Sequence, residues 1–169
     1  MSDALSAIAW VRENADVLGV NPNKILVEGF SAGAHLAMIS AMIENPKEFG
    51  VNSKFSSEPN AVIIGSGPYD IAGRDVYNID YDTKIISPLY LIKSNLPPIL
   101  AFHGEQDDLV KFSEFEKFRD KMLATNNDFT YRTYPNAGHF YFSEITKAEI
   151  EEIKTLTEEF LVTNGYVSK

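Results

Sequence analysis

An α/β fold, with a parallel sheet of about four strands and flanking helices, is predicted by three features of the sequence. Short apolar runs alternate with segments of helical period, turn residues bound each run, and the polar residues suited to chemistry fall just after the runs. Strands separated by helices join as parallel neighbours through right-handed crossovers, which places helices on both faces. At 169 residues the chain is long enough for one buried core, and 1–169 reads as a single domain.

Taken in order, Ala4, Ile8, Val11, Ala15 and Leu18 fall three and four apart, with Ser2 or Asp3 as N-cap and Gly19 as stop signal, so 3–18 reads as one amphipathic helix. After the turn "GVNPNK", the segment Lys24 to Glu28 is short and carries a continuous apolar run, the pattern of a strand buried on both faces. "AHLAMISAMIE" then restores helical composition. The runs "NAVIIGS" (60–66) and "PPILAFHG" (97–104) read as buried strands, and "FTYRTY" (129–134) as a more amphipathic one. Helical stripes come next: Phe112, Phe115, Arg119 and Met122, then Ile150, Ile153, Leu156 and Phe160. The stretch 67–95 keeps no sustained period and reads as an excursion over the sheet edge.

Composition removes several classes of function. A formal charge of −9, spread along the chain, repels phosphate backbones and anionic lipid heads, so neither nucleic acid nor membrane is an expected partner. Without cysteine there are no disulfides, thiolate metal sites or thiol nucleophiles. No apolar stretch is long enough to span a bilayer, and Met1 leads into a polar-flanked helix instead of an export signal, so the expected compartment is the cytoplasm.

The chemistry-bearing residues come directly after the strands. In open parallel sheets ligands bind beyond the carboxyl ends of the strands, and there stand Ser31, Asp70, Asp107 and His139, one after each predicted strand. Ser31 lies in "GFSAG", a G-x-S-x-G turn between strand and helix, where glycines on both sides relieve crowding and the Ala32 N–H faces a developing oxyanion. The competing reading is a plain N-cap serine with small neighbours. A hydroxyl needs a base to take its proton and a third group to orient that base. His139, in the glycine-containing loop "PNAGHFYF", is the candidate base. His35, one turn into a helix, and His103, ending a strand, read as packing or hydrogen-bonding residues. Asp107 is the preferred acid, with Asp108 solvated or holding loop amides. Asp70 is the alternative acid, or else only the cap of its turn "GPYD".

With these blocks in place, the sequence resembles the α/β-hydrolase superfamily, and within it the esterase branch that includes acetyl esterases, feruloyl-esterase-like enzymes and kynurenine formamidases. "GFSAGAHLA" resembles the elbow of that branch, "SGPYD" its segment after the next strand, "ISPLYLI...LPPILAFHGEQDDLV" its acid-loop block and "YPNAGHFY" its histidine loop. The resemblance implies Ser31 as nucleophile, Asp107 as acid and His139 as base, with no metal or cofactor. It also implies a truncated fold lacking the N-terminal strands, because members carry a further H-G-G-type loop that supplies a second oxyanion donor, whereas the only "HG" here is His103-Gly104.

The expected function is hydrolysis of small-molecule carboxylic esters of small acyl groups through an acyl-enzyme on Ser31. The alternatives are a non-catalytic or weakly active half-domain that functions by association and, within catalysis, an amidase or peptidase. A dinucleotide-binding oxidoreductase fits worse, because the first turn is not G-x-G-x-x-G. Resemblance to half a fold would leave Lys24 to Glu28 as a bare apolar edge, and such edges pair. A homo-oligomer, a dimer through that strand, is expected, or else a complementary chain.

Overall fold

A computed structural model of the chain describes residues 1–72 and 82–168. Its elements run α1 (Ser2–Glu13), α2 (Ala15–Leu18), β1 (Leu26–Phe30), α3 (Ala32–Met42), β2 (Ala61–Gly65), α4 (Pro88–Leu91), β3 (Ile99–Gly104), α5 (Phe112–Ala124), β4 (Phe129–Tyr134), α6 (Tyr141–Glu144) and α7 (Lys147–Thr163). The four strands form one parallel sheet whose order, β1-β2-β3-β4, repeats their order in the chain. All carboxyl ends therefore share one rim.

Burial explains why the two middle strands are continuous apolar runs. Val62, Ile64, Ile99 and Ala101 face Ala34 and Met38 of α3 and Phe115, Phe118 and Met122 of α5. Ala61, Ile63, Leu100 and Phe102 face Tyr134, Tyr141 and Phe160 on the opposite side. Helix α3 is alanine-rich and buried over most of its length because it packs against β1, β2 and α1. Helix α7 begins with a capping box, in which the Thr146 hydroxyl accepts from the Glu149 N–H and the Glu149 carboxylate accepts from the Thr146 N–H.

Three expectations need correction. The helix over 3–18 is two helices, interrupted at Asn14 (φ −100, ψ 16), whose side-chain amide turns back to donate to the Trp10 carbonyl at 2.8 Å. The first strand is not Lys24 to Glu28 but Leu26–Phe30: Lys24 still donates to Asn21 in the turn and Ile25 to the Asn60 side chain, so the strand starts at Leu26 and continues to the elbow. Nor is that strand buried on both faces. It lies at the end of the sheet, with Glu28 exposed beside a trough of about 400 Å³ lined by Phe30, Ile63, Phe102, Tyr141 and Ile153. The excursion at 67–95 contains a 3-10 turn at Thr83–Ile86 and α4; its residues 73–81 lie outside the described residues. Among the described residues no helix is long and apolar enough to cross a membrane.

Candidate active site

The turn after β1 is tight because its glycine allows it. A Cβ on Gly29 would fall 2.2 Å from the Gly33 carbonyl oxygen, so only glycine lets β1 run this close to the first turn of α3. Gly33 is different: a Cβ there meets nothing within 4 Å, so crowding at the elbow is one-sided where the sequence pattern implied two. Ser31, between them, takes φ 53 and ψ −120, a conformation L-residues avoid, at a cost on the order of 1–3 kcal/mol. Its own N–H donates to the Gly65 carbonyl at 2.8 Å and its carbonyl accepts the first helical bond, from His35, at 3.1 Å. The Ala32 N–H belongs to the first turn of α3, where donors lack intrahelical acceptors and the helix dipole favours negative charge.

On the same rim, the loop after β3 carries Asp107, which is 4% exposed. Its Oδ1 accepts the N–H groups of Leu109 (2.9 Å) and Val110 (2.8 Å), which fixes the carboxylate plane. Its Oδ2 lies 2.8 Å from His139 Nδ1, and His139 Nε2 lies 2.9 Å from the Ser31 hydroxyl. A carboxylate only accepts, so Nδ1 is the protonated nitrogen and Nε2 presents its lone pair to the serine.

The two loops that carry Asp107 and His139 touch backbone to backbone. A Cβ on Gly104 would sit 2.2 Å from the Gly138 carbonyl oxygen and 2.3 Å from that of Ala137, so this position too requires glycine. Gln106 donates its N–H to Ala137 at 2.9 Å, and Gly138 donates to the Glu144 carboxylate at 2.8 Å. Beside His139 stand the rings of Phe30 (5.2 Å between centroids) and Phe140 (5.1 Å). Phe140 and Phe142 are each about half exposed and give this side of the rim an apolar wall.

Known proteins share this arrangement of strands and loops. Esterase 2 of Thermogutta terrifontis, solved in a form phosphoramylated by tabun, superposes with a TM-score of 0.89 at 30% identity, over 99% of this chain and 65% of that one. The chain belongs to the α/β-hydrolase superfamily. A family model described as BD-FAE matches residues 1–82 of this α/β-hydrolase chain. Esterase LipQ of Mycobacterium tuberculosis is 32% identical over 164 residues, covering 82% of this chain and 38% of its own length. Esterase LipC of the same organism is 27% identical over 159 residues, with 81% and 40% covered. The chain thus spans about two fifths of these curated relatives.

The remaining polar residues of this α/β-hydrolase chain are engaged elsewhere, apart from His103, whose Nε2 also lies 3.5 Å from Asp107 Oδ2. Asp70 Oδ1 accepts from the Ala72 N–H at 3.0 Å within its own turn and from the Ser87 hydroxyl, just before α4, at 3.2 Å. Asp108 is exposed, and the loop amides of Leu109 and Val110 are bound by Asp107 instead. The buried His35 ring bonds the Ile86 carbonyl at 2.7 Å. His103, fully buried, donates from Nε2 to the Val110 carbonyl at 3.1 Å, while Tyr69 places its hydroxyl 3.4 Å from Nδ1. Burial is the main cause that pushes both histidines below the ordinary imidazole value, against opposing carbonyl contacts from Ile86 and Val110. Among the described residues no cluster of three or more His, Asp or Glu is placed to hold a metal ion. Ser66, which the sequence reading did not single out, is fully buried and donates its hydroxyl to the His139 carbonyl. The available signal was a serine directly after a strand with a glycine immediately on either side, Gly65 and Gly67.

Proposed function

We propose that Ser31, His139 and Asp107 form a serine-hydrolase site that cleaves carboxylic esters of small acyl groups. The observation that carries this reading is the pair of hydrogen bonds that joins the three side chains, 2.9 Å from serine to imidazole and 2.8 Å from imidazole to carboxylate. His139 takes the hydroxyl proton as the Ser31 oxygen bonds to the ester carbon, and returns it to the departing alcohol. It then takes a proton from water, which attacks the acyl-serine, and gives that proton to the Ser31 oxygen as its bond to the acyl carbon breaks and the acid leaves. Asp107 keeps the imidazole in the tautomer this requires. The Ala32 N–H stabilises the oxyanion, and a second donor comes from a partner or from a local N–H.

The related esterases support ester hydrolysis, and Thermogutta terrifontis esterase 2 has been solved with propionate and with butyrate bound, which favours short acyl groups. The test is turnover of p-nitrophenyl acetate by the chain and by Ser31→Ala and His139→Ala, beside mass analysis after a fluorophosphonate. Loss of turnover in both variants and one adduct on Ser31 are expected; equal rates in all three remove the mechanism. A p-nitroanilide run in parallel decides between ester and amide, which share the same oxyanion.

A second reading rests on the end position of β1. Parallel pairing directs Val27, Gly29 and Ser31 toward β2, so the N–H and C=O groups of Leu26, Glu28 and Phe30 face the open side. We infer that a second copy pairs there and extends the sheet. If turnover and labelling both fail while the chain self-associates, the half-domain that acts by association is the better account.

A further inference from the structure

The serine-hydrolase reading explains three side chains but leaves one strained residue on the same rim unused. Ser66 is 0% exposed, has φ 46, and lies directly after β2. Positive φ in a buried residue other than glycine is held in place only by what surrounds it. Its N–H donates to the Phe102 carbonyl at 3.0 Å, which ties it to β3. Its hydroxyl donates to the His139 carbonyl at 3.0 Å. The residue before it, Gly65, accepts the Ser31 N–H at 2.8 Å.

Two consecutive residues therefore grip both partners of the proton transfer: Gly65 holds the backbone of the serine and Ser66 the backbone of the histidine. We infer that Ser66 is a positioning residue that sets the distance between the His139 imidazole and the Ser31 hydroxyl, acting on the histidine main chain without touching substrate. The left-handed turn at Ser66 is what aims its hydroxyl across the rim. In the extended conformation that would continue β2, the hydroxyl would run on with the strand and the His139 carbonyl would lose its donor. The ties from Gln106 to Ala137 and from Gly138 to Glu144 lie before His139 and that from Ser143 to Phe140 lies after it, so the hydroxyl of Ser66 is the contact made to the main chain of the base residue itself.

This inference rests on the serine-hydrolase reading, and its test separates the two. Ser66→Ala keeps the Cβ and deletes the donor. The expected result is a kcat for p-nitrophenyl acetate lowered about 10- to 100-fold, as for misplacement of a reacting group by a fraction of an ångström to an ångström. KM should stay within about twofold, because substrate contacts are untouched. The downfield NMR resonance of the His139 Nδ1 proton, which reports its bond to Asp107, should broaden or move, while the thermal midpoint falls by only a few degrees, as for one lost buried hydrogen bond. Unaltered kcat overturns the inference, as does a fall in kcat with an unaltered Nδ1 resonance. Ser66→Gly, which also lacks the hydroxyl but accepts the positive φ without strain, carries the same test if the alanine variant does not fold. If the parent chain neither turns over ester nor takes the fluorophosphonate, the hydrolase reading fails, and the Nδ1 resonance in the two variants still decides whether Ser66 positions His139.

Discussion

Replacing Gly29 with alanine tests the claim that one missing side chain sets the geometry of the elbow. The new Cβ would meet the Gly33 carbonyl oxygen at 2.2 Å, its carbon at 2.3 Å and the Ala34 nitrogen at 2.7 Å, where real contacts stay beyond 3.0 Å. These are backbone atoms of α3, so no rotamer change removes the clash, and the helix must retreat from the strand by close to an ångström. Helix α3 has nowhere to go: Ala34, Ala37, Met38, Ile39, Ala41 and Met42 are all at most 1% exposed. Overpacking of such a site costs about 1–3 kcal/mol. Because Ser31 sits inside the displaced turn, turnover should fall about 100-fold as well. Gly33→Ala is the matched control, two residues beyond Ser31 but facing open space; alanine in a helix gains about 0.5–1 kcal/mol over glycine. Urea titration with an ester assay on both variants gives the comparison. Should Gly29→Ala unfold at the same midpoint and react at the same rate as Gly33→Ala, the steric account of the elbow is wrong.

Other expectations concern stability and association. His35 and His103 are both held below the ordinary imidazole value by burial, so an unfolded chain takes up protons near pH 6.5 that the folded chain refuses. Stability is then full above that pH and declines below it, by about 1.4 kcal/mol per pH unit for each histidine that stays neutral when folded. Urea midpoints at several pH values between 7 and 5 should fall steeply for the parent and less steeply for His35→Gln; parallel curves would contradict this. Thr146→Ala removes the side-chain half of the α7 capping box and should cost about 1 kcal/mol in the same titration. Two β1 edges paired about a two-fold axis near Glu28 would bring like charges together, so Glu28→Gln should raise the dimer fraction in sedimentation at micromolar concentration. Monomers in both variants would remove the edge-pairing proposal.

Much of this architecture was legible in the sequence, and the reasons are local. The buried runs of β2 and β3 announce themselves because both faces are covered, and "FTYRTY" reads as a strand from its aromatic and β-branched residues, with Phe129 buried on the α5 side, Tyr134 on the α6 and α7 side, and the residues between them more exposed. Ser31, Asp107 and His139 stand out because each lies a few residues past the end of a strand, and parallel strands bring all such positions to one rim. β1 misled for the opposite reason: an apolar run looks doubly buried whether or not a neighbour exists, and pattern alone carries no information about sheet ends. The break at Asn14 escaped because apolar spacing continues through it, and only the returning amide of that residue ends the first helix. Ser66 escaped because its hydroxyl bonds a residue 73 positions along the chain, a contact that no window of sequence contains.

The sequential order of the strands also governs when the site comes into being. A chain emerging from the ribosome can lay down β1, α3, β2 and β3 in turn, each against the one before, with Ser31 and Asp107 already near their final places. The imidazole arrives only after β4 has been made, so Ser31 precedes by 108 residues the ring it is bonded to. A chain cut before His139 would keep Ser31 and Asp107 without the ring that joins them.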